Sequence, residues 1–541
     1  MTEPPAPRSA PAAKERINTR AAGVIGLAVM CSRVLGLIRE TLFAALFGGG
    51  REMDVFIAAF RIPNLLRDLF AEGALSTAFV TVFSRTIVTD GEQAAWKLAN
   101  KVMTLATVFM SLITLAGILS APWIVGFIAP GFDPDKAAMT TTLVRVMYPF
   151  ILLVSLAALV MGMLNARNVF GMPAMASSFF NLGSIVGGVA VGWWLDPTFG
   201  SRALLGLAVG TLIGGALQLG VQLPSLRRVG FHFRPDWRWR SEGVRNMLTL
   251  MGPAIIAASS VQVNVLVNSM FASHLGDGPI AWLNNAFRLM QLPLGLFGVA
   301  LGTVALPVLA RLAASGHTGQ FRTELARAMR LSFVLTIPAT IGLMVLAEPI
   351  MSVLYQHGKF TAEQTAQAAG ALQLYAIGLC AYATMKVLVN AFYAVDKRRT
   401  PMLVSLAAIG LNALLCWLFV TQFGWGHRGL AASTACIATF NFALLYLLMH
   451  RHLQSLDTTL LLRTLLKVLT AGAVLALVAW AGSRYWLADW ATQAFIPKTL
   501  RLFAVIALAG AAFVLAALAL RVEELKMIVA SLQRRVRRKA G

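Results

Sequence analysis

The chain has 541 residues, of which 58% are hydrophobic and 13% charged, with a mean hydropathy of +0.72. Soluble domains run at roughly half apolar and a quarter charged, so this composition excludes an ordinary soluble protein and indicates a polytopic membrane protein. The formal charge of +23 is spread over short connectors with no aromatic–basic groove or zinc spacing, which excludes nucleic acid as the partner.

In chain order, residues 1–20 are Pro/Ala-rich and basic and are expected to form a disordered cytoplasmic tail. Fourteen apolar runs follow, each about 20 residues or longer, the length that crosses about 30 Å of hydrocarbon as a helix. They lie at 21–47, 55–87, 100–121, 141–164, 172–195, 203–223, 247–274, 279–307, 331–354, 364–392, 402–423, 428–449, 464–487 and 499–520. Pro63 and Pro293 mark expected kinks in the second and eighth. The runs divide into an N-lobe of six spans (21–223), a basic cytoplasmic linker (224–246), a C-lobe of six spans (247–449), two further helices (450–520) and a basic cytoplasmic tail (521–541). With both termini inside, cytoplasmic segments hold 31 of the 46 Lys and Arg and the opposite segments eight, as the positive-inside rule requires. The connectors 231–247 and 319–330 are basic and amphipathic and are expected to lie as helices on an anionic leaflet.

An internal repeat relates AFRIPNLLRDLFAEGALSTAFVTVFSR (59–85) to AFRLMQLPLGLFGVALGTVALPVLAR (286–311), and the same offset of about 227 residues pairs Pro122 with Pro349, Gly131 with Gly358 and Tyr148 with Tyr375. An even number of spans separates the copies, so they share orientation about a pseudo-two-fold axis along the membrane normal. Such repeats place a site at their interface near the midplane. Arg61 and Arg288 are equivalent and are expected to face each other there.

Charge concentrates in residues 33 to 72. Arginine at mid-bilayer costs roughly 2.5–3.5 kcal/mol even on lenient scales, so Arg33, Arg39, Arg61 and Arg67 are expected to face water, counter-charges or an anionic ligand. Arg33 and Arg39 are six residues apart, so unwinding or bending at Gly36 is expected to bring them to one cavity. Arg61, Asp68 and Glu72 share one helical stripe, which suggests mutual charge balance, while Arg67 lies off it as the uncompensated cation. Asp54 is placed near the rim. With Arg288 added, the cavity is net cationic, and the arginine fork suits phosphate or carboxylate. Lys386 is read as near the cytoplasmic end or facing a cavity, and Arg145 as reaching the outer interface. Cys31, Cys380, Cys416 and Cys436 lie in apolar runs without metal spacing, and no catalytic set is recognisable, so neither a metal site nor an enzyme is indicated.

The sequences SRVLGLIRE (32–40), D-x-F-x-x-A-F-R-x-P-N-L-L-R (54–67), FAEGALSTAFV (70–80), APGF (129–132), FRLMQLP (287–293) and QHGKFT (356–361) make the chain resemble the MurJ/MviN lipid II flippases of the MOP exporter superfamily. The resemblance implies a bacterial inner-membrane protein that moves lipid II, an undecaprenyl-pyrophosphate-linked disaccharide peptide, from the inner to the outer leaflet. It implies that Arg33, Arg39, Arg67 and Arg288 bind the pyrophosphate, that Asp54 and Glu72 are functional acids, and that Ser32, Pro63 and Asn64 occupy motif positions. It further implies that the last two spans form a groove for the polyprenyl tail. Phe287 and Gln291 stand where some members carry acids, which makes this pocket more positive. Spans seven, eleven and twelve contain no Asp or Glu, so no carboxylate-ligated sodium site is expected; no cofactor is implied, and the membrane potential is the expected drive. Membrane lipids and cell-wall synthesis proteins are further candidate partners. Two other readings keep the fold: a flippase for another lipid-linked oligosaccharide, and a non-transporting scaffold for cell-wall synthesis.

Overall fold

A computed structural model describes residues 19–69, 75–487, 494–527 and 530. Among these there are helices and no strands. The first half contains α1 (Thr19–Phe47), α2 (Arg51–Leu66), α3 (Ser76–Asp90), α4 (Glu92–Leu119), α5 (Ala121–Ile128), α6 (Pro134–Met147), α7 (Phe150–Ala166), α8 (Gly171–Leu195), α9 (Leu204–Gly220) and α10 (Leu223–Arg228). The second contains α11 (Glu242–Ser273), α12 (Pro279–Pro293), α13 (Ala300–Ala314), α14 (Thr318–Val345), α15 (Ala347–Tyr355), α16 (Ala362–Ile377), α17 (Leu379–Ala394), α18 (Arg399–Trp417) and α19 (Gly426–Leu453), followed by α20 (Thr458–Ala481) and α21 (Phe495–Ala519).

The repeat seen in sequence is a repeat of helix breaks. The series α4 to α8 recurs about 227 residues later as α14 to α18, including the short helices α5 and α15, whose first turns carry Pro122 and Pro349. Proline is tolerated there because its missing N–H would be unsatisfied anyway. Among the described residues, ten helical stretches are long and apolar enough to cross a membrane, and the pair α16–α17, bent by 40°, makes an eleventh. The other three expected runs, 21–47, 55–87 and 247–274, lie over α1, over α2 with α3, and over α11.

Each half builds most of its own apolar core, although Val244 and Met247 of α11 join a cluster of the first half and Ala44 and Ala58 one of the second. In the first, α3, α4 and α7 pack around Phe79, Phe83 and Met163, while α2, α6 and α9 pack around Val55, Met147 and Leu207. In the second, α12, α15 and α16 pack around Met290, Met351 and Leu372. The helices α20 and α21 join this half through α14, with Val468, Leu475, Val505 and Phe513 buried in a common cluster. Leu466, Leu477, Phe503 and Leu515 on their other faces stay exposed, as lipid-facing positions should.

Helix α2 continues past Pro63 to Leu66 and a π-turn at 67–69 follows it, while α12 ends at Pro293 and passes into a π-turn at Leu294–Val299. Two local expectations change. Helix α1 is continuous through Gly36, which packs beside Asn181, and that amide donates to the Ser32 carbonyl at 3.1 Å. The connector 231–247 is not one helix: residues 231–241 run without regular secondary structure beside α4, where Arg234 N donates to Asn100 and Asp236 N to Thr104, and α11 starts only at Glu242. Residues 319–330 are helical, within α14. Residues 1–18, Glu72 and 531–541 lie outside the described residues, although the start of the C-terminal tail packs on α14 through an ion pair between Arg330 and Glu524 at 2.8 Å.

Candidate functional site

The candidate arginines meet where α1 crosses α2 and α12. Glu40 of α1 sits between two of them: Arg39 Nη2 lies 3.3 Å and Arg288 Nε 2.7 Å from its Oε1. Glu40 is buried and Arg288 is 45% exposed, so this ion pair ties α1 to α12 while leaving much of the Arg288 guanidinium open. Arg39 also stacks on Phe180, 5.4 Å from the ring centroid, and is within electrostatic reach of Arg67 and Arg288.

Arg61 is within electrostatic reach of Tyr375 and of Arg288, its repeat counterpart, and its buried Nε has no hydrogen-bond partner. Arg67 is not the uncompensated cation expected from helical spacing, for Asp68 lies 2.9 Å from its Nη2 and also accepts from Gln262 Nε2 at 3.2 Å. The physical reason is the π-turn at 67–69, which breaks the stripe assumed to join Arg61 to Asp68 and leaves Arg61 without a carboxylate among the described residues. Arg33 points elsewhere, to Gly295 on the π-turn after α12, and toward Lys386 of α17. Lys386 is thus within electrostatic reach of a residue of the other half. The cluster of Arg39, Arg61, Arg67 and Arg288 faces only Glu40 and Asp68 among the described residues, so it stays net positive.

Of the remaining candidates, Ser32 serves through its carbonyl as the acceptor for Asn181, and the carbonyls of Pro63 and Asn64 accept from the Arg67 N–H at the end of α2. Phe287 packs edge-on against Tyr375 with centroids 5.4 Å apart, so this position is spent on packing rather than charge, and Gln291 is exposed. Arg145 donates to the Ile118 carbonyl at 3.3 Å, at the end of α4.

Asp54 is not at the rim but 0% exposed. Its carboxylate accepts from Gly278 N at 2.7 Å and Ala281 N at 2.8 Å, capping the first turn of α12, and pairs with Lys136 Nζ at 3.0 Å. Backbone N–H groups at a helix start satisfy a carboxylate well, and the helix dipole adds to the attraction. Around this cap the halves are bonded repeatedly. Gly131 N donates to Ser273 Oγ at 3.0 Å, Gly49 N to Gln364 at 2.8 Å, and Lys359 N to the Ala45 carbonyl at 2.8 Å, while Arg51, held by Asp133 of its own half through two bonds of 2.7 Å, lies 3.9 Å from Asp277 of the other. Gly358 explains its motif: with φ of +56° it brings the Ala45 carbonyl to 2.3 Å from where a Cβ would sit. Sequence reasoning left Lys136 and Asp277 out of the site. The available signal was the repeat, since the counterpart of Asp54 is Ala281, which identifies α12 as its partner.

Spans seven, eleven and twelve meet at a neutral knot. Asn412 donates to Asn268 at 3.1 Å, and Asn268 donates to Thr434 at 2.9 Å. Among the described residues no group of three His, Cys, Asp or Glu side chains is placed to hold a metal ion.

Two helical halves, bonded at one end and meeting over a net cationic cluster, define a polytopic helical membrane protein. The solved fold of "Lipid II flippase MurJ, inward closed conformation" covers 91% of this chain and 98% of its own with a TM-score of 0.73 at 24% identity. An inward-facing multidrug resistance MATE family transporter of the MOP superfamily matches with a TM-score of 0.68 over 81% of this chain and 99% of its own, at 15% identity. Within that class the chain belongs to the MurJ family, whose model, described as "Lipid II flippase MurJ", matches residues 43–501. It is 33% identical over 522 residues to the "Probable lipid II flippase MurJ" of Vibrio cholerae serotype O1, covering 93% of this chain and 96% of that one. It is 34% identical over 469 residues to the "Lipid II flippase MurJ" of Burkholderia cenocepacia, covering 85% and 89%. The family is one of flippases rather than enzymes.

Proposed function

We propose that this protein flips lipid II from the inner to the outer leaflet of the bacterial cytoplasmic membrane by alternating access between two six-helix lobes, with fourteen spans and both termini cytoplasmic. The observation that carries the reading is the cationic cluster at the lobe seam, closed off at one end by the bonds around Asp54. With the termini inside, that bonded end is extracytoplasmic, so the cluster is reached from the cytoplasm. Arg39, Arg61, Arg67 and Arg288 receive the pyrophosphate, with Arg33 and Lys386 lining its path. The phosphates displace Glu40 from Arg288, which loosens the tie between α1 and α12 and couples cargo binding to lobe movement. The polyprenyl tail stays in the membrane beside α20 and α21. An inside-negative potential drives an anionic head group outward, at roughly 2.3 kcal/mol per charge per 100 mV for a full crossing.

The test is leaflet-resolved detection of lipid II after depletion of the protein. Lipid II is expected to accumulate in the inner leaflet and to be cleared by the wild-type chain but not by Arg288→Ala; an unchanged distribution rejects the proposal. The scaffold reading predicts instead that the cavity arginines can be replaced without effect.

A further inference from the structure

Lys136, which no motif singles out, holds a distinctive position in the bonded end. It lies in the first turn of α6, where Asp133 caps its N–H at 2.9 Å, and its side chain is 2% exposed beneath the Phe132 ring, 4.4 Å from the centroid. An ammonium has three N–H donors, and Lys136 uses one on its own half and two on the other. The first goes to Asp54 Oδ2 at 3.0 Å; the others go to the Gly276 carbonyl at 3.2 Å and Asp277 Oδ1 at 2.8 Å. Asp54 mirrors this division, with Lys136 in its own half and Gly278 N and Ala281 N in the other.

We propose that Lys136 is a positioning residue that sets the balance between the bonded and parted states of this end, acting as a cation shared between the lobes. The inference rests on the alternating-access reading above. Helices α2 and α6 belong to one packed core, so when the halves part, Asp54 and Lys136 leave together as a neutral pair. Asp277, already 51% exposed, keeps access to water. Opening therefore never strips a buried charge of its counter-ion, the event that makes broken buried pairs so unfavourable. The bonds that Lys136 makes to Gly276 and Asp277 exist only while the end is bonded, and in that state the same ammonium separates two carboxylates that would otherwise repel. Removing it weakens the bonded state more than the parted one. Losing two bonds across the seam, one of them charged on both sides, should raise the parted-to-bonded ratio by about tenfold or more.

The experiment uses the full-length protein in phospholipid nanodiscs, with Cys31, Cys380, Cys416 and Cys436 replaced and Ser273→Cys as reporter. Ser273 is 2% exposed and faces Gly131 N across the seam, so a soluble maleimide reaches position 273 only when the end parts. Lys136→Met is expected to speed labelling by about tenfold, Asp277→Asn severalfold, and Lys136→Arg to stay within about twofold of the parent. Asp277→Asn leaves the buried Asp54–Lys136 pair intact, so it keeps the test alive where Lys136→Met fails to fold. Unchanged or slower labelling in Asp277→Asn overturns the proposal, as does a Lys136→Arg rate equal to that of Lys136→Met. The readout needs no lipid II. Its failure therefore leaves the flippase reading standing, and a failure of lipid II movement with the labelling pattern intact rejects only the cargo.

Discussion

The Asp54 carboxylate accepts a hydrogen bond of 2.8 Å from the backbone N–H of Ala281, 227 residues farther along the chain. That separation is the repeat offset, so Asp54 touches its own counterpart in the second copy. The next pair on the same two helices, Arg61 and Arg288, obeys the same offset and sits within electrostatic reach. Seven residues of helix span about 10 Å, so the cap and the cation pair are stacked along one axis. Asp54→Ala leaves Lys136 buried with a single carboxylate and uncaps α12. A loss of roughly 3–5 kcal/mol is expected, visible as a lower midpoint in thermal unfolding of the purified protein.

Arg61 carries the opposite signature. Its buried Nε lacks a partner, so the folded protein gains little from this charge in the absence of ligand. Arg61→Met is expected to leave thermal stability unchanged or raise it, while reducing lipid II clearance at least tenfold. A variant that loses stability and transport together would show instead that Arg61 is structural.

Glu40 competes with any anion for Arg288. Glu40→Gln should therefore tighten binding of inorganic pyrophosphate severalfold in calorimetry, because the 2.7 Å ion pair no longer has to be broken. Transport should nonetheless slow, since release then lacks the returning carboxylate. Arg288→Ala should weaken the same binding by about tenfold or more.

The fold was legible because its repeat is written in proline and glycine as well as in apolar runs. Pro122, Pro349 and Gly358 punctuate helices at positions where the backbone requires them. The cationic character of the site was equally legible, since arginine in a span calls for a partner or a ligand. The pairings were not. Helical-wheel reasoning joined Arg61 to Asp68, and a π-turn at 67–69 gave Asp68 to Arg67 instead. Asp54 looked peripheral from its place before an apolar run, yet the start of α12 folds over it. Lys136 and Asp277 lie in connectors, where sequence alone reads charge as solvated.

A last prediction concerns the opposite end of the C-lobe. His452, in the last turn of α19, lies with its Nδ1 2.9 Å from Lys397 Nζ, a contact in which the ring accepts and must be neutral. Partial burial, and then the Lys397 charge, hold its pKa below the ordinary 6.5. A folded pKa depressed in this way means that the contribution of the contact is fully present above pH 6.5. It is lost as the pH falls from 6.5 through the lower folded value. Thermal midpoints measured from pH 7.5 down to pH 5 should therefore fall further for the wild-type chain than for His452→Gln, whose side chain does not titrate. Parallel curves for the two proteins would show that the Lys397–His452 contact contributes nothing to stability.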